Sequence, residues 1–168
     1  MISKKMEQML NDQYNKEVYS ANLYLSMSSY FLDRDLDGFA NYFLIQSKEE
    51  LMHAEKQFNY VHEIDGKITI QAIAAPPATF DSMMDCFVKT LEHEKYVTKS
   101  IYDLVEQALA EKDFATHTFL QWFVTEQVEE EATVKNLIKK LEMIGDNSSA
   151  LFLLNDELLR RTLDAPAV

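Results

Sequence analysis

"SKEELMHAEK", residues 47–56, decides how the rest of the chain is read. Glu50 and His53 are three apart, so on a helix they share a face. The apolar periodicity on either side puts that face in the core. A carboxylate and an imidazole buried together need a reason, and the other helices must supply it.

Composition narrows the setting. A chain of 168 residues suffices for one domain with a sizeable core. Three Gly and three Pro leave little material for turns, which favours a few long helices over many strands. The formal charge of −12 argues against nucleic acid as a partner and draws in cations instead. Cys86 is the single cysteine, so no intrachain disulfide forms and a reducing compartment fits. No secretory h-region opens the sequence and no run reaches membrane-spanning length. The expectation is a soluble cytoplasmic protein with no membrane partner.

Helices are predicted over 4–34, 37–64, 81–111, 113–144 and 148–161. Gly66 is the expected C-terminal cap of the second, Thr79 or Asp81 the N-cap of the third, and Gly145 the stop of the fourth. Tight turns join the first helix to the second and the third to the fourth, giving two antiparallel hairpins. Between them lies a crossover over 66–80. At roughly 3.3 Å per residue it spans about 45 Å, longer than a helix of about 27 residues at 1.5 Å rise. The predicted fold is all-α, a four-helix bundle with one long crossover and a short fifth helix, in a single domain over 1–168.

Steps of four and three trace a seam on each long helix. The first carries Leu10, Tyr14, Glu17, Ala21, Tyr24, Ser28 and Phe31. The second carries Phe39, Phe43, Gln46, Glu50, His53, Gln57, Tyr60 and Ile64. The third carries Phe80, Met84, Phe87, Leu91, Glu94, Thr98, Ile101 and Val105. The fourth carries Leu120, Phe123, Gln127, Glu130, Val134, Leu137, Leu141 and Ile144. Each seam holds one glutamate near its middle. Glu17, Glu50, Glu94 and Glu130 fall within a spread of about 8 Å along the bundle, with His53 and Gln127 in the same layer.

No Lys or Arg stands on any seam, so protein cations do not neutralise these glutamates. Left unpaired in apolar surroundings they would cost several kcal/mol each or take up protons. Two divalent cations would balance the four carboxylates. Carboxylate oxygens with one imidazole and no thiolate suit iron, manganese or zinc. A structural zinc would call for more Cys or His and a closed shell. A glutamate-bridged pair with open positions suits redox iron chemistry.

At these residues the chain resembles the ferritin-like di-iron family. That family is the established instance of Glu and Glu-x-x-His ligands projecting into a four-helix bundle. "NKEVYSANLYLSMS", "SKEELMHAEK", "LEHEKYVTKSIYDLV" and "HTFLQWFVTEQVEEEA" are all similar to bacterial non-haem ferritin. The resemblance implies one iron at Glu17, Glu50 and His53, with Glu50 bridging, and a second at Glu94 and Glu130, with Gln127 close by. It implies Tyr24 beside the centre and Trp122 as a nearby tryptophan discussed as an electron donor. It implies a third iron at Glu49, Glu126 and Glu129, for which the bland reading is a solvated acidic face.

Bacterioferritin repeats Glu-x-x-His on its fourth helix, where this chain reads Gln127-Val128-Glu129-Glu130, and it places its haem methionine where Leu51 stands. No haem is therefore expected, and Met52 reads as a packing residue. DNA-protecting mini-ferritins fit less well, since the fifth helix is present and the chain is acidic. His62, His93 and His117 fall off the seams and read as exposed or capping, and Cys86 as core.

The function implied is iron storage and detoxification by a ferroxidase. Iron(II) would be oxidised by oxygen or hydrogen peroxide and mineral deposited in a hollow shell of 24 identical chains. The apolar "ALFLLNDELL" supports assembly. The alternative is a di-iron peroxidase or oxygenase acting as a small oligomer.

Overall fold

The computed structural model describes residues 2–163. Five helices follow in order: α1 Lys4–Leu32, α2 Asp37–Glu63, α3 Met83–Glu111, α4 Phe114–Ile144 and α5 Ser148–Leu159. The first four form the bundle, α1 packs on α2 and α3 on α4, and α5 lies chiefly against α2.

Helix ends show why the elements stop where they do. Ser3, Ser82, Asp113 and Asn147 each accept a bond from a first-turn amide and so cap α1, α3, α4 and α5. The α3 cap is thus Ser82 rather than Thr79 or Asp81. Asp81 lies outside the helix, where its amide donates to Asp85 Oδ2 at 3.1 Å. α1 ends at Leu32, short of the expected 34, because the chain turns through Asp35 at φ 57°. The α2 stop is a Schellman turn in which Asp65, not Gly66, takes the left-handed conformation at φ 59°. Gly66 serves by close approach instead. Its amide donates to Val61 O at 2.9 Å, and a Cβ there would lie 2.9 Å from that same oxygen. Gly145, at φ 51°, ends α4 as expected.

The crossover runs the length of α1. Asn11 takes it at one end, donating to Lys67 O at 2.8 Å and accepting from Thr69 N at 2.6 Å. Ser26 donates to Pro77 O at 2.6 Å near the other. The third helix therefore starts at the end where the second does.

Two apolar clusters fill the bundle. One is aromatic, built on Tyr24, Phe31, Phe39, Tyr42, Phe43 and Phe87, and it takes in Leu154 and Leu158 of α5. The other holds Met6, Leu10, Val61, Ile101, Leu104, Leu120 and Phe123. α5 is thus docked on its own bundle, while its Phe152 and Leu153 remain exposed. Its Asn155 Oδ1 accepts from Gly38 N at 2.9 Å and Phe39 N at 3.2 Å, serving as the cap that α2 lacks locally.

Candidate metal centre

Between the apolar clusters the four helices put polar side chains into one layer. Glu17, Glu50, His53, Glu94 and Gln127 are all buried. Glu130 is half-buried as a residue, but its Oε2 is sealed from water. Ligand atoms of Glu17, Glu50 and His53 lie within 4.8 Å of one another, and so do those of Glu50, Glu94 and Glu130. Each set could hold one metal ion, and Glu50 belongs to both. Among the described residues no Lys or Arg ion pair reaches any of these four glutamates. The nearest counter-group is His53, whose Nδ1 is 3.3 Å from Glu50 Oε2.

The electrostatic strain of this arrangement is legible in the carboxyls. Burial pushes Glu50 well above the usual carboxylate range, and the charges of Glu94 and Glu17 push it further. Burial does the same to Glu130, helped by Glu94 and Glu50. Glu94 is also raised by burial, against opposing hydrogen bonds from Tyr24 and Gln127. In all three the cause is the same, carboxylates gathered out of water with no lysine or arginine among the described residues to offset them.

Hydrogen bonds fix the carboxylates in part and leave some oxygens open. Tyr24 donates its hydroxyl to Glu94 Oε1. Gln127 Nε2 donates to Glu94 Oε2 at 3.1 Å and to Thr98 Oγ1 at 3.2 Å. Gln13 Nε2 donates to Glu17 Oε1 at 2.7 Å, with both side chains buried. Glu17 Oε2 and Glu130 Oε2 are buried without a hydrogen-bond partner. Such orphaned oxygens are costly unless a cation takes them, so the donor set fits divalent iron. Gln13 lies off the predicted α1 seam, and its signal was the i, i+4 spacing to Glu17.

Around the layer, Trp122 packs edge-on to His53 at 5.3 Å between ring centroids, with Lys56 Nζ 4.5 Å from its centroid. Of the three remaining histidines, His62 is exposed as expected, and His117 is half-buried in the first turns of α4, where Asp113 is the cap. His93 is neither exposed nor a cap. Its Nε2 is 2.7 Å from Ser20 Oγ, it packs against Tyr19, Tyr24 and Tyr96, and burial lowers it to about 4. It reads as off-seam in sequence because α3 tucks against α1 there. Cys86 is core, its thiol pushed up to about 12 by burial.

The three flanking glutamates are placed differently. Glu126 is half-buried and raised by burial, Glu129 is exposed, and Glu49 is paired with Arg161. Among the described residues they are not drawn into one ligand set as the inner four are.

A helical bundle whose middle layer gathers four glutamates and a histidine into two overlapping groups, each able to hold a metal ion, has the architecture of the carboxylate-lined four-helix bundles. The ferritin family model, described as a ferritin-like domain, matches residues 7–144. The "bacterial non-heme ferritin" of Campylobacter jejuni is 44% identical over 153 residues, covering 91% of this chain and 92% of that protein. The protein of the same name from Staphylococcus aureus is 42% identical over 164 residues, 98% of this chain and 99% of that one. Among solved structures, the open-pore ferritin of Archaeoglobus fulgidus superposes with a TM-score of 0.95 at 50% identity over 96% of this chain and all of that one. The chain belongs to the ferritin family. No helix among the described residues is long and apolar enough to cross a membrane.

Proposed function

We propose that this ferritin stores and detoxifies iron, oxidising iron(II) to iron(III) with oxygen or hydrogen peroxide in the carboxylate layer. The mineral is laid down inside a hollow shell of 24 identical chains in the cytoplasm. The observation that carries this reading is the overlap on Glu50 of two groups that could each hold a metal, in a layer that no lysine or arginine among the described residues neutralises. Glu17, Glu50 and His53 hold one iron; Glu50, Glu94 and Glu130 hold the second. Gln127 and Tyr24 steer the Glu94 carboxylate, and Trp122 packs edge-on against His53 and holds its ring in place. Glu49, Glu126 and Glu129 take a third iron flanking the pair.

The chain's own part is electrostatic and geometric. Iron(II) enters a layer of raised carboxyls and displaces their protons, so uptake releases acid. The orphaned oxygens of Glu17 and Glu130 gain a partner at that moment. Two one-electron donors held by one bridging carboxylate can together deliver the two electrons that reduce oxygen to peroxide. The Gln13, Tyr24 and Gln127 donors keep the carboxylates aimed while the charge changes.

The test is iron loading in air followed by size-exclusion chromatography with iron analysis. A large assembly retaining far more than three irons per chain is expected. A small oligomer holding only two irons per chain would instead mark a di-iron peroxidase or oxygenase.

A further inference from the structure

We propose that Arg161 sets the affinity of the flanking third position by competing with the incoming cation for Glu49. This rests on the reading of Glu49 as a ligand at that position.

Arg161 lies just beyond the end of α5, yet it is fixed on α2. Its Nη2 is 2.6 Å from Glu49 Oε2 and donates to Gln46 Oε1, also at 2.6 Å. Its Nη1 donates to Tyr42 O at 3.2 Å, and the guanidinium carbon lies 4.6 Å from the Tyr42 ring centroid. Residues 42, 46 and 49 share one face of α2 at helical spacing, so the arginine lies flat along that face. The two charged side chains are only 26% and 20% exposed, which shields the pair from the screening that weakens surface ion pairs. A guanidinium on a partly buried carboxylate is a strong, directional contact.

A divalent cation needs the same negative oxygen. Glu49 Oε2 cannot be the anchor of a short guanidinium bond and a full ligand at once. The next residue, Glu50, faces the opposite situation, since among the described residues no Lys or Arg contests it and its one near counter-group is the imidazole of His53. Filling the inner pair therefore needs no arginine to leave, whereas filling the flank does. Arg161 need not unfold anything to leave, because Gln46 and Tyr42 still hold it. By linkage, a cation that displaces Arg161 loosens the segment after α5 by the factor by which Arg161 weakens the cation.

The pairing could instead serve only to fasten the chain end. Asn41 gives the control: its Nδ2 donates to Leu158 O at 3.1 Å and Arg161 O at 3.0 Å, fastening the same segment without touching Glu49. The experiment is equilibrium dialysis of the assembled, iron-free protein against zinc(II), which does not change oxidation state. Wild type, Arg161→Gln and Asn41→Ala are compared. The third zinc per chain should bind roughly tenfold more tightly in Arg161→Gln, in line with typical coupling between linked sites, and unchanged in Asn41→Ala. Amide exchange across 155–163 should quicken in wild type as the third zinc fills, and not in Glu49→Gln.

A third zinc bound equally well by wild type and Arg161→Gln would overturn the competition while leaving the third position standing. Equal tightening in Asn41→Ala would overturn it too, since general loosening would then suffice. No third zinc in any variant would remove the third position itself, and the inference with it.

Discussion

Glu49 and Glu50 are neighbours in sequence and opposites in situation. Glu50 points into the bundle, meets Glu17 and Glu94, and is pushed toward its protonated form by burial and by their charge. Glu49, about 100° around the helix, is half-buried and neutralised by Arg161. One carboxylate has a charge problem that protons or metal must relieve; the other has been relieved by the chain itself. The difference teaches that a row of glutamates is not one acidic site. Among the described residues the inner layer has no lysine or arginine to neutralise it, whereas the flank carries its own counter-charge in Arg161.

The largest effect should follow from breaking the inner layer. Glu50→Ala removes the one residue common to both sets, and His53→Ala removes the only imidazole that those sets hold among the described residues. Each should slow rapid iron(II) oxidation by at least about a hundredfold, beyond what losing an outer partner costs, while assembly survives: Glu50→Ala relieves charge crowding, and His53→Ala leaves the apolar clusters on either side of the layer intact. Stopped-flow absorbance under excess oxygen measures this. Wild-type rates in both variants would sink the ligand assignment.

Removing everything after Gly145 attacks the flank from the other side, since it deletes Arg161 along with α5. It also strips the Asn155 cap from α2 and uncovers the cluster that Leu154 and Leu158 close. Those losses are worth about 1 kcal/mol for the cap and about 1.5–3 kcal/mol for each leucine. The bundle should therefore melt earlier as well as fail to form a full-size shell. Circular dichroism melts beside analytical ultracentrifugation decide it, and a truncated protein with native size and native melting would show α5 to be dispensable.

A smaller effect concerns pH and the iron-free protein. The folded-state carboxyls of Glu50, Glu94 and Glu130 are raised above the ordinary value near 4.5. The folded chain then keeps protons that the unfolded chain gives up. Stability is full below about pH 4.5 and falls as pH rises toward the folded-state values, by about 1.4 kcal/mol per pH unit for each proton of difference. Urea midpoints should drop between pH 5.5 and 8, and Glu50→Gln should flatten that slope. A slope unchanged in Glu50→Gln would mean that Glu50 holds no proton in the iron-free fold.

Much of this was legible in sequence, because the α1, α2 and α4 seams follow their periodicity closely. α3 did not. Its seam was read through Leu91, Thr98 and Val105, which are half-buried, whereas Thr90, Val97 and Leu104 are the buried residues. Two apolar strips lie side by side on that helix, and period alone cannot choose between them. The same ambiguity hid His93. Glu94 was found because both strips turn through it. Gln13 and Arg161 were missed for another reason. Each acts through a partner, Glu17 or Glu49, and only the fold brings Arg161 back across 112 residues to Glu49.

The smallest expected effect lies at the flank, and it separates the two neighbours most finely. Glu49→Ala, Glu126→Ala and Glu129→Ala together leave both inner ligand sets intact. The first two irons per chain should be oxidised at a rate close to wild type. What changes is the sequel, because carboxylate oxygens beside the pair offer a hard cation a place to wait without closing the inner site. Later turnovers should slow, by about two- to fivefold, the scale of a modest coupling between adjacent sites, or the ratio of iron oxidised to oxygen consumed should shift. Oxygen electrode traces taken beside iron(II) oxidation, at two and then at many irons per chain, read both quantities. A triple variant indistinguishable from wild type at every loading would make these residues a solvated acidic face. The Arg161–Glu49 pair would then be no more than a fastening for the end of the chain.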